Sequence, residues 1–265
     1  MANKVGLVLG SGAARGIAHI GVLKALEENN IPVAFVAGSS IGALVGALYC
    51  ISGSAREALE LVDKLDKKRA QQLFDWNVPR QGLVAGDNIR RFLRASINLD
   101  FSKLKITLCV VATDLCEGRE TTIASGNVLD AVMASIAIPV LFKPVKDKEE
   151  ILVDGGVLNP LPVDIAAKNG CDAIIAVDVE YKTMGRQEIK PTIFNIAIQS
   201  ILLTRERHTE MIKRELTQRK DIVLISPNLG NASYLDFSQG KELIPKGEEA
   251  AHKAMPQIKA MLDIH

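Results

Sequence analysis

The chain has 265 residues, of which 48% are apolar and 24% are charged, and its formal net charge is +1. This composition is typical of a globular protein with a large core. It lacks the basic excess of a nucleic-acid-binding protein and the acidic tracts of a disordered chain, so neither class fits. No Pro/Gly/Ser-rich linker divides the sequence, and we therefore predict a single domain over residues 1–265.

The four cysteines are scattered along the chain, at positions Cys50, Cys109, Cys116 and Cys171. They form no C-x-x-C pair, and no cysteine–histidine cluster has the spacing of metal ligands. We therefore expect reduced, buried cysteines and no metal site. The N-terminal segment has one lysine and a short apolar run before its glycines, which indicates a strand and not a signal peptide. Together these features predict a cytoplasmic protein.

The N-terminal part of the chain alternates between strand and helix patterns. The run "VGLVLG" predicts a buried strand that ends in a glycine loop, and "GIAHIGVLKALEENN" has apolar residues at helical spacing. "VAFVAG" predicts a second strand, and "IGALVGALYCI" predicts a buried helix. This order of elements is typical of a parallel α/β sheet.

Residues 32–50 could also be interpreted as a membrane span, because they carry no charge and include a small-xxx-small pattern, "GALVG". However, Pro32 and the Gly38-Ser39-Ser40 turn interrupt the apolar run, and its first half has the length of a strand. We therefore favour the strand–turn–helix interpretation and predict no transmembrane span.

The rest of the chain continues the α/β pattern. "KITLCVVATDL" predicts a strand that pairs with or near "RETTIAS", and "EILVDGGV", "DAIIAVDV" and "DIVLIS" predict three more strands. Helices are predicted over residues 54–65, from Asp87 as N-cap, over "NVLDAVMASIAIP" up to Pro139, and over the final "GEEAAHKAMPQIKAML".

A long helix is predicted over residues 192–219. Its first part, residues 192–203, carries apolar side chains on nearly every face. A helix that is apolar all round is usually buried, and that is the interpretation we favour. A patch for self-association or membrane contact is the alternative.

The pentapeptide "GSSIG" is the first candidate for chemistry. Gly38 and Gly42 flank Ser40 at two residues to either side, between a predicted strand and a predicted helix. This is the context of a nucleophile elbow, in which a sharp turn presents the serine clear of the sheet. Ser39 lacks the symmetric glycine frame, so Ser40 is the candidate nucleophile. The alternative is a Ser/Gly turn that merely caps the helix.

The glycine loop after the first strand, "GSGAARG", is the second candidate. A dinucleotide loop would need a third glycine where Arg15 stands, and no Gly-Lys-Ser/Thr ending of a P-loop is present. Backbone amides beside a serine elbow suit an oxyanion hole instead. The predicted oxyanion loop comprises Ser11, Gly12, Ala13, Ala14, Arg15 and Gly16.

The catalytic base is the third question. The four histidines, His19, His208, His252 and His265, do not lie in loops after predicted strands, where a base usually stands. Asp154 ends a predicted strand before two glycines and could accept the serine proton directly. A Ser40–Asp154–His208 triad is the weaker alternative.

The ordered set "GSGAARG", "GSSIG" and "DGG" resembles the patatin-like phospholipase family, in particular short bacterial members similar to the catalytic domain of neuropathy target esterase. The resemblance covers roughly residues 5–180 and includes "VVATDLCEGRE" and "ASIAIPVLFKPV". It implies a three-layer α/β/α hydrolase with a mostly parallel central sheet. It also implies Ser40 as nucleophile, Asp154 as base, loop amides for the oxyanion, and no metal or organic cofactor.

The substrates that the resemblance implies are acyl lipids, namely phospholipid, lysophospholipid or simple carboxyl esters. Ser11 and Ala13 stand where the family usually has glycine, whereas Arg15 and Gly16 are kept. A regulatory or lipid-binding protein on the same fold is the alternative function. Peripheral membrane contact and oligomeric state stay open, and no nucleic-acid partner is expected.

Overall fold

The centre of the fold is a sheet of eight strands, seen in a computed structural model that describes residues 4–65, 86–180, 190–234 and 236–264. The strands are β1 (Val5–Leu9), β2 (Val33–Ser39), β3 (Thr107–Asp114), β4 (Arg119–Ile123), β5 (Val145–Asp147), β6 (Glu150–Asp154), β7 (Ala173–Val177) and β8 (Ile222–Ile225). The α-helices of the described residues are α1 (Ala18–Glu28), α2 (Ile41–Ser52), α3 (Arg56–Asp63), α4 (Asp87–Ile97), α5 (Val128–Ser135), α6 (Val163–Lys168), α7 (Ile193–Leu216) and α8 (Gly240–Leu262).

The strand order is β5-β6-β3-β2-β1-β7-β8, and β4, which lies off this path, also pairs with β3. Strands β3, β2, β1, β7 and β8 are parallel to one another. This confirms the predicted mostly parallel sheet. β4 pairs with β3, as predicted for "RETTIAS", and it runs antiparallel to β3.

Helices cover both faces of the sheet, because the side chains of a buried strand alternate between two apolar layers. Leu7 and Leu9 of β1 lie in a core with α1, α2 and α8, whereas Val8 lies in a second core with α6 and the C-terminal part of α7. The three-layer α/β/α architecture predicted from the sequence is therefore confirmed.

The uncharged run over residues 32–50 is divided between β2 and α2, as the strand–turn–helix interpretation predicted. Among the residues that the structure describes, no helix combines the length and the apolar character needed to cross a bilayer.

Three predicted helix boundaries were wrong. Helix α5 ends at Ser135, before Pro139, because the residues that precede a proline are restricted and the last turn closes with an Ala137 N–H to Ala134 carbonyl bond of 3.2 Å. Gly86, with φ 76°, is the N-cap of α4, so Asp87 is the first helical residue, where its charge favours the helix dipole. Helix α8 starts at Gly240, earlier than predicted.

The predicted long helix α7 is present, but the expectation that residues 192–203 are buried was wrong. Ile193 is 89% exposed, and Ile196 and Leu203 are each 53% exposed. A helix of 24 residues is about 36 Å long, and only one stripe of it is buried against the rest of the protein. Ile198 and Arg205 lie on that stripe.

All four cysteines are free, as predicted. Cys50 and Cys109 are buried, but Cys116 is exposed and Cys171 is half-buried, so the predicted burial was wrong for these two. Cys116 lies in the turn between β3 and β4, where no other layer covers it.

Candidate active site

Ser40 occupies a strained turn between β2 and α2. Its φ of 55° and ψ of −124° lie outside the regions that non-glycine residues ordinarily adopt. A Cβ at Gly42 would overlap the carbonyl oxygen of Leu9, and one at Gly38 would lie 2.6 Å from the Cα of Ala43. The two flanking glycines are therefore required sterically, and the strand–turn–helix context expected of a nucleophile elbow is present.

The sheet brings Ser40 and Asp154 together through strand β3. One edge of β3 pairs with β4 over Val110 to Asp114, so β2 and β6 must both lie along the other edge. On that edge Ser39 pairs with Val111, and Asp154 pairs with the next residue, Ala112. The carboxyl ends of β2 and β6 thus meet head-on at the same point of the sheet.

The Ser40 hydroxyl donates a hydrogen bond of 2.5 Å to Oδ2 of Asp154. The other carboxyl oxygen, Oδ1, accepts a bond of 2.7 Å from the Gly156 amide. Both Ser40 and Asp154 are buried. Because each carboxyl oxygen is held by a donor, the carboxyl group is fixed with one lone pair directed at the serine.

Ser135 anchors the backbone of the elbow, and the sequence reasoning missed it. The Ser40 amide donates to the Ser135 hydroxyl at 2.8 Å, and that hydroxyl donates to the Val111 carbonyl at 2.6 Å. The signal available in the sequence was one serine among the apolar residues that follow Asp130 in this helix, a residue that needs partners when it is buried.

Ser39 points away from this pair. It is fully buried, and the hydroxyl of Ser11 donates to its hydroxyl at 3.1 Å. Of the two adjacent serines, only Ser40 therefore contacts the carboxylate.

A buried cation, Arg205 of α7, lies beside the carboxylate. A Cβ added at Gly156 would lie 3.0 Å from Arg205 Cδ and 3.0 Å from Asp154 Oδ1, so these two atoms are at most 6.0 Å apart. The Arg205 guanidinium forms an ion pair with Glu180, and both side chains are buried. Arg205 continues the buried stripe of α7 seven residues after Ile198, and this spacing was its only signal in the sequence.

Burial and the neighbouring charge shift the pKa of the Asp154 carboxyl in opposite directions. Burial raises the pKa of Asp154, and the Arg205 charge and the hydrogen bonds from Ser40 and Gly156 offset part of that rise. Burial also raises the pKa of Glu180 to about 7, although the Arg205 charge lowers it. The site thus contains two carboxyl groups that share one guanidinium.

Tyr234 connects Arg205 to the glycine loop. Its ring lies between two buried guanidinium groups, 5.0 Å from that of Arg15 and 5.8 Å from that of Arg205. Arg15 also donates to the Tyr234 hydroxyl at 3.2 Å, and the Tyr234 carbonyl accepts from the Ala14 amide at 2.9 Å. Arg15 is thus a packing partner of this ring.

The predicted oxyanion loop is buried and follows β1, but several of its amides bind other groups. The Ser11 amide donates to Pro160, the Ala14 amide to Tyr234, and the Arg15 amide to Gly12. Gly16 lies within the 3₁₀ turn Ala13–Ile17. Among the described loop residues, the amides of Gly12 and Ala13 are left as the candidates that could face a ligand.

Ala13 adopts φ 48°, a left-handed conformation that glycine adopts more easily. One of the two departures from the glycine-rich family loop is therefore a residue held in a strained backbone conformation. Its side chain lines a cavity with Ser40.

The three histidines that the structure describes form no hydrogen bond with Ser40. His19 is buried, and its Nε2 lies 2.9 Å from the Gly10 carbonyl oxygen, so it donates there as a neutral imidazole. Burial lowers the pKa of His19 to about 4. His252 lies at the surface 3.4 Å from Glu28, His208 lies on α7, and His265 is outside the described residues.

One surface cluster has the composition of a metal site. Ligand atoms of Glu28, Glu248 and His252 lie within 4.8 Å of one another. The three residues come from α1 and α8, so no local spacing could have indicated them. Glu248 forms an ion pair of 2.7 Å with Lys24, and surface ion pairing accounts for the cluster.

An apolar cavity opens beside the Ser40 hydroxyl. Apart from Ser40, every described side chain that lines it is apolar. The lining residues are Ala13, Ser40, Ile41, Leu44, Ile89, Ile136, Ile138, Leu141, Phe142 and Phe237.

The fold agrees with what comparison with known proteins finds. A family model described as patatin-like phospholipase matches residues 7–167, which is more than half of the chain. The chain belongs to the patatin-like phospholipase family.

Relatives with the same domain are longer proteins. An uncharacterised NTE family protein of Mycobacterium tuberculosis is 35% identical over 183 residues, which cover 69% of this chain and 51% of the relative. Lysophospholipase NTE1 of Coccidioides immitis is 35% identical over 181 residues, covering 67% of this chain and 12% of the fungal protein. The chain thus spans about half the length of the mycobacterial relative.

Among solved structures, VipD from Legionella pneumophila aligns with 99% of this chain and 67% of its own, with a TM-score of 0.56. The sequence identity is 15%, so this similarity concerns the fold.

Proposed function

We propose that the chain is a serine acyl hydrolase that cleaves carboxyl esters of lipids with a Ser40–Asp154 dyad. The observation that carries this proposal is the 2.5 Å hydrogen bond from the hydroxyl of Ser40, in its strained turn, to Asp154. A serine hydroxyl is a weak nucleophile until a base takes its proton, and Asp154 is the group in contact with it.

In the first step the Ser40 oxygen attacks the ester carbonyl carbon while its proton passes to Asp154. The tetrahedral intermediate then collapses, the bond from carbonyl carbon to alcohol oxygen breaks, and the proton on Asp154 passes to the departing alcohol. An alkoxide is a better leaving group than the nitrogen of an amide, so it needs less assistance from the proton on Asp154, which favours ester substrates. The product of this half-reaction is an acyl ester on Ser40.

In the second step water attacks the acyl ester, and Asp154 accepts one of its protons. Collapse of the second intermediate breaks the bond to Ser40 Oγ, which recovers its proton from Asp154. The released products are a carboxylic acid and the free enzyme, so no oxidant, metal or other co-reactant is required.

The oxyanion of each intermediate needs donors on the side of the carbonyl oxygen. We assign this role to the Gly12 and Ala13 amides, because those of Ser11, Ala14 and Arg15 are already bound elsewhere. The N-terminus of α2, which begins directly after Ser40, adds a favourable dipole.

Support for a lipid ester comes from two sources. The cavity beside Ser40 is lined with apolar side chains and suits a hydrocarbon group more than a polar one. The fungal relative carries the name of a lysophospholipase, and we propose monoacyl phospholipids and related acyl esters as the substrate class.

The test is to label the protein with a fluorophosphonate probe and to map the modified peptide, alongside hydrolysis of p-nitrophenyl butyrate. We expect the probe on Ser40, and we expect Ser40→Ala and Asp154→Asn each to lower kcat/KM by about a hundredfold or more. Ser39→Ala, which changes the neighbouring buried serine, is the matched control and should keep most of the activity.

Labelling of Ser39, or an active protein in which Asp154→Asn keeps normal turnover, would contradict the dyad. A folded protein that binds lipid but neither reacts with the probe nor hydrolyses any ester would instead support the alternative of a regulatory lipid-binding protein.

A further inference from the structure

A second apolar cavity adjoins the one at Ser40. The proximal cavity contains Ser40, and the distal cavity lies beyond it between α2, α3 and α4. Four residues line both cavities, namely Ile41, Leu44, Ile89 and Phe237. Because they share these walls, the two cavities are neighbouring compartments, and together they define an apolar space that begins beside Ser40.

Helix α2 forms the common wall of this space. Ile41, Leu44, Val45 and Leu48 have the i, i+3, i+4, i+7 spacing of one helical face, and all four line the distal compartment. Leu48 follows Ser40 by eight residues, and at 1.5 Å per residue this spans about 12 Å along the helix axis. This face of α2 therefore extends from Ser40 to the part of the core that lies under α3.

All the described side chains that line the distal compartment are apolar. A charged or zwitterionic head group placed there would lose its hydration without gaining a partner, which is strongly unfavourable. A hydrocarbon chain has no such hydration to lose, and its transfer from water to an apolar site is favourable in free energy. The ester's head group must then lie on the solvent side of Ser40.

We propose that the two compartments together form the binding site for a single acyl chain of the substrate and set its length. An extended chain advances about 1.2 Å per bond, as the extended polypeptide does, so about 12 Å corresponds to an acyl chain of about ten carbons. This inference rests on the proposed function, because the ester carbonyl must reach Ser40 for the chain to enter.

The proposal predicts a length profile for p-nitrophenyl esters from acetate to palmitate. Each methylene that enters the apolar space should raise kcat/KM by up to about fourfold. The increase should stop near decanoate, because further methylenes no longer fit between Ser40 and the end of the distal compartment.

Leu44 lies at the junction and is half-buried, so Leu44→Trp should close the passage to the distal compartment. The ratio of kcat/KM for decanoate to that for butyrate should fall at least about tenfold. The matched control is Leu59→Trp, because Leu59 is also a half-buried leucine and lines neither compartment. Its profile should match the wild type. Val45→Phe, which narrows the distal compartment alone, serves as a second variant if Leu44→Trp does not fold.

A binding measurement separates this inference from the proposed function. Decanoate should raise the melting temperature of the Ser40→Ala variant, and adding Leu44→Trp, but not Leu59→Trp, should remove that shift. Absence of any ester hydrolysis by the wild type would overturn the proposed function, yet the decanoate shift would still test the site. Identical length profiles or identical decanoate shifts for the two tryptophan variants would overturn the acyl-chain site.

Discussion

Asp154 is a buried carboxyl group whose ionised form is stabilised by the charge of Arg205, a residue of the distant helix α7. Burial favours its protonated form, and the positive charge of Arg205 favours its ionised form. Arg205 also pairs with Glu180, so a single guanidinium is shared between two acids. A base must be ionised to accept the serine proton, and we therefore expect Arg205 to set the pH range of activity as a positioning residue.

Replacing Arg205 by methionine should shift the acidic limb of kcat/KM to higher pH. The activity of a carboxylate base is lost as the pH falls through its pKa, and removing the nearby cation raises that pKa. Among the described residues, three groups lower the pKa of Asp154, namely the Arg205 charge, the Ser40 hydroxyl and the Gly156 amide, and of these only the Arg205 charge is removed. The measurement is the pH profile of p-nitrophenyl butyrate hydrolysis.

Arg207→Met is the control for this prediction, because Arg207 is exposed on the same helix. The double variant Arg205→Met/Glu180→Gln keeps the buried charge balanced if the single variant is too unstable. An unchanged profile in a folded Arg205 variant would mean that the cation serves packing alone.

At the level of secondary structure, the periodicity of apolar residues predicted which segments are helices and strands more reliably than it predicted which side chains are buried. β1, α1, β2 and α2 follow directly from the spacing of apolar residues and from the glycines that separate them. Helix α7 was also predicted, but its pattern of apolar residues could not show which of its faces is buried. Arg205 occupies a position on the buried stripe that an apolar residue would ordinarily hold, so the charge pattern of α7 pointed away from its packing.

Two isoleucines of α7, one buried and one exposed, provide a test of which face of the helix is buried. Ile198 is buried, so Ile198→Ala should lower the free energy of unfolding by about 2 to 4 kcal/mol. Ile196→Ala, two residues away on the exposed face, should change it by less than about 0.5 kcal/mol. Urea unfolding of the two variants checks both values, and a larger loss at Ile196 would indicate that another surface covers this face in solution.

The meeting of Ser40 with Asp154 is a property of the whole sheet. The two residues are 114 positions apart, and they meet because β2 and β6 share one edge of β3 in adjacent register. The motifs of the sequence supplied the serine and the acid as candidates. Strand order and register depend on packing between distant segments, so Ser135 and Arg205, which complete the site, could not be placed from local patterns.

The stability of the whole molecule should depend on pH through His19, which lies in the first turn of α1 and bonds to the Gly10 carbonyl at the end of β1. Burial lowers its pKa from 6.5 to about 4. Below pH 6.5 the unfolded chain therefore binds a proton that the folded protein does not, and the free energy of unfolding falls as the pH falls from about 7 to about 4. The shift corresponds to a loss of about 3 kcal/mol at the acidic end.

This contribution can be isolated by comparing wild type with His19→Gln, whose amide can still donate to the Gly10 carbonyl. Glu180 acts in the opposite direction, because its pKa is raised to about 7 and the folded state gains stability as it is protonated between about pH 7 and 4.5. That effect is common to both proteins and cancels in the difference. The stability of wild type relative to His19→Gln, measured by urea unfolding, should therefore decrease by about 3 kcal/mol between pH 7.5 and pH 4.

His252→Gln changes a surface histidine and should show a difference from wild type that stays within about 0.5 kcal/mol over the same range. A constant difference between wild type and His19→Gln would mean that His19 is protonated in the folded state, and the neutral donor to Gly10 would then be wrong.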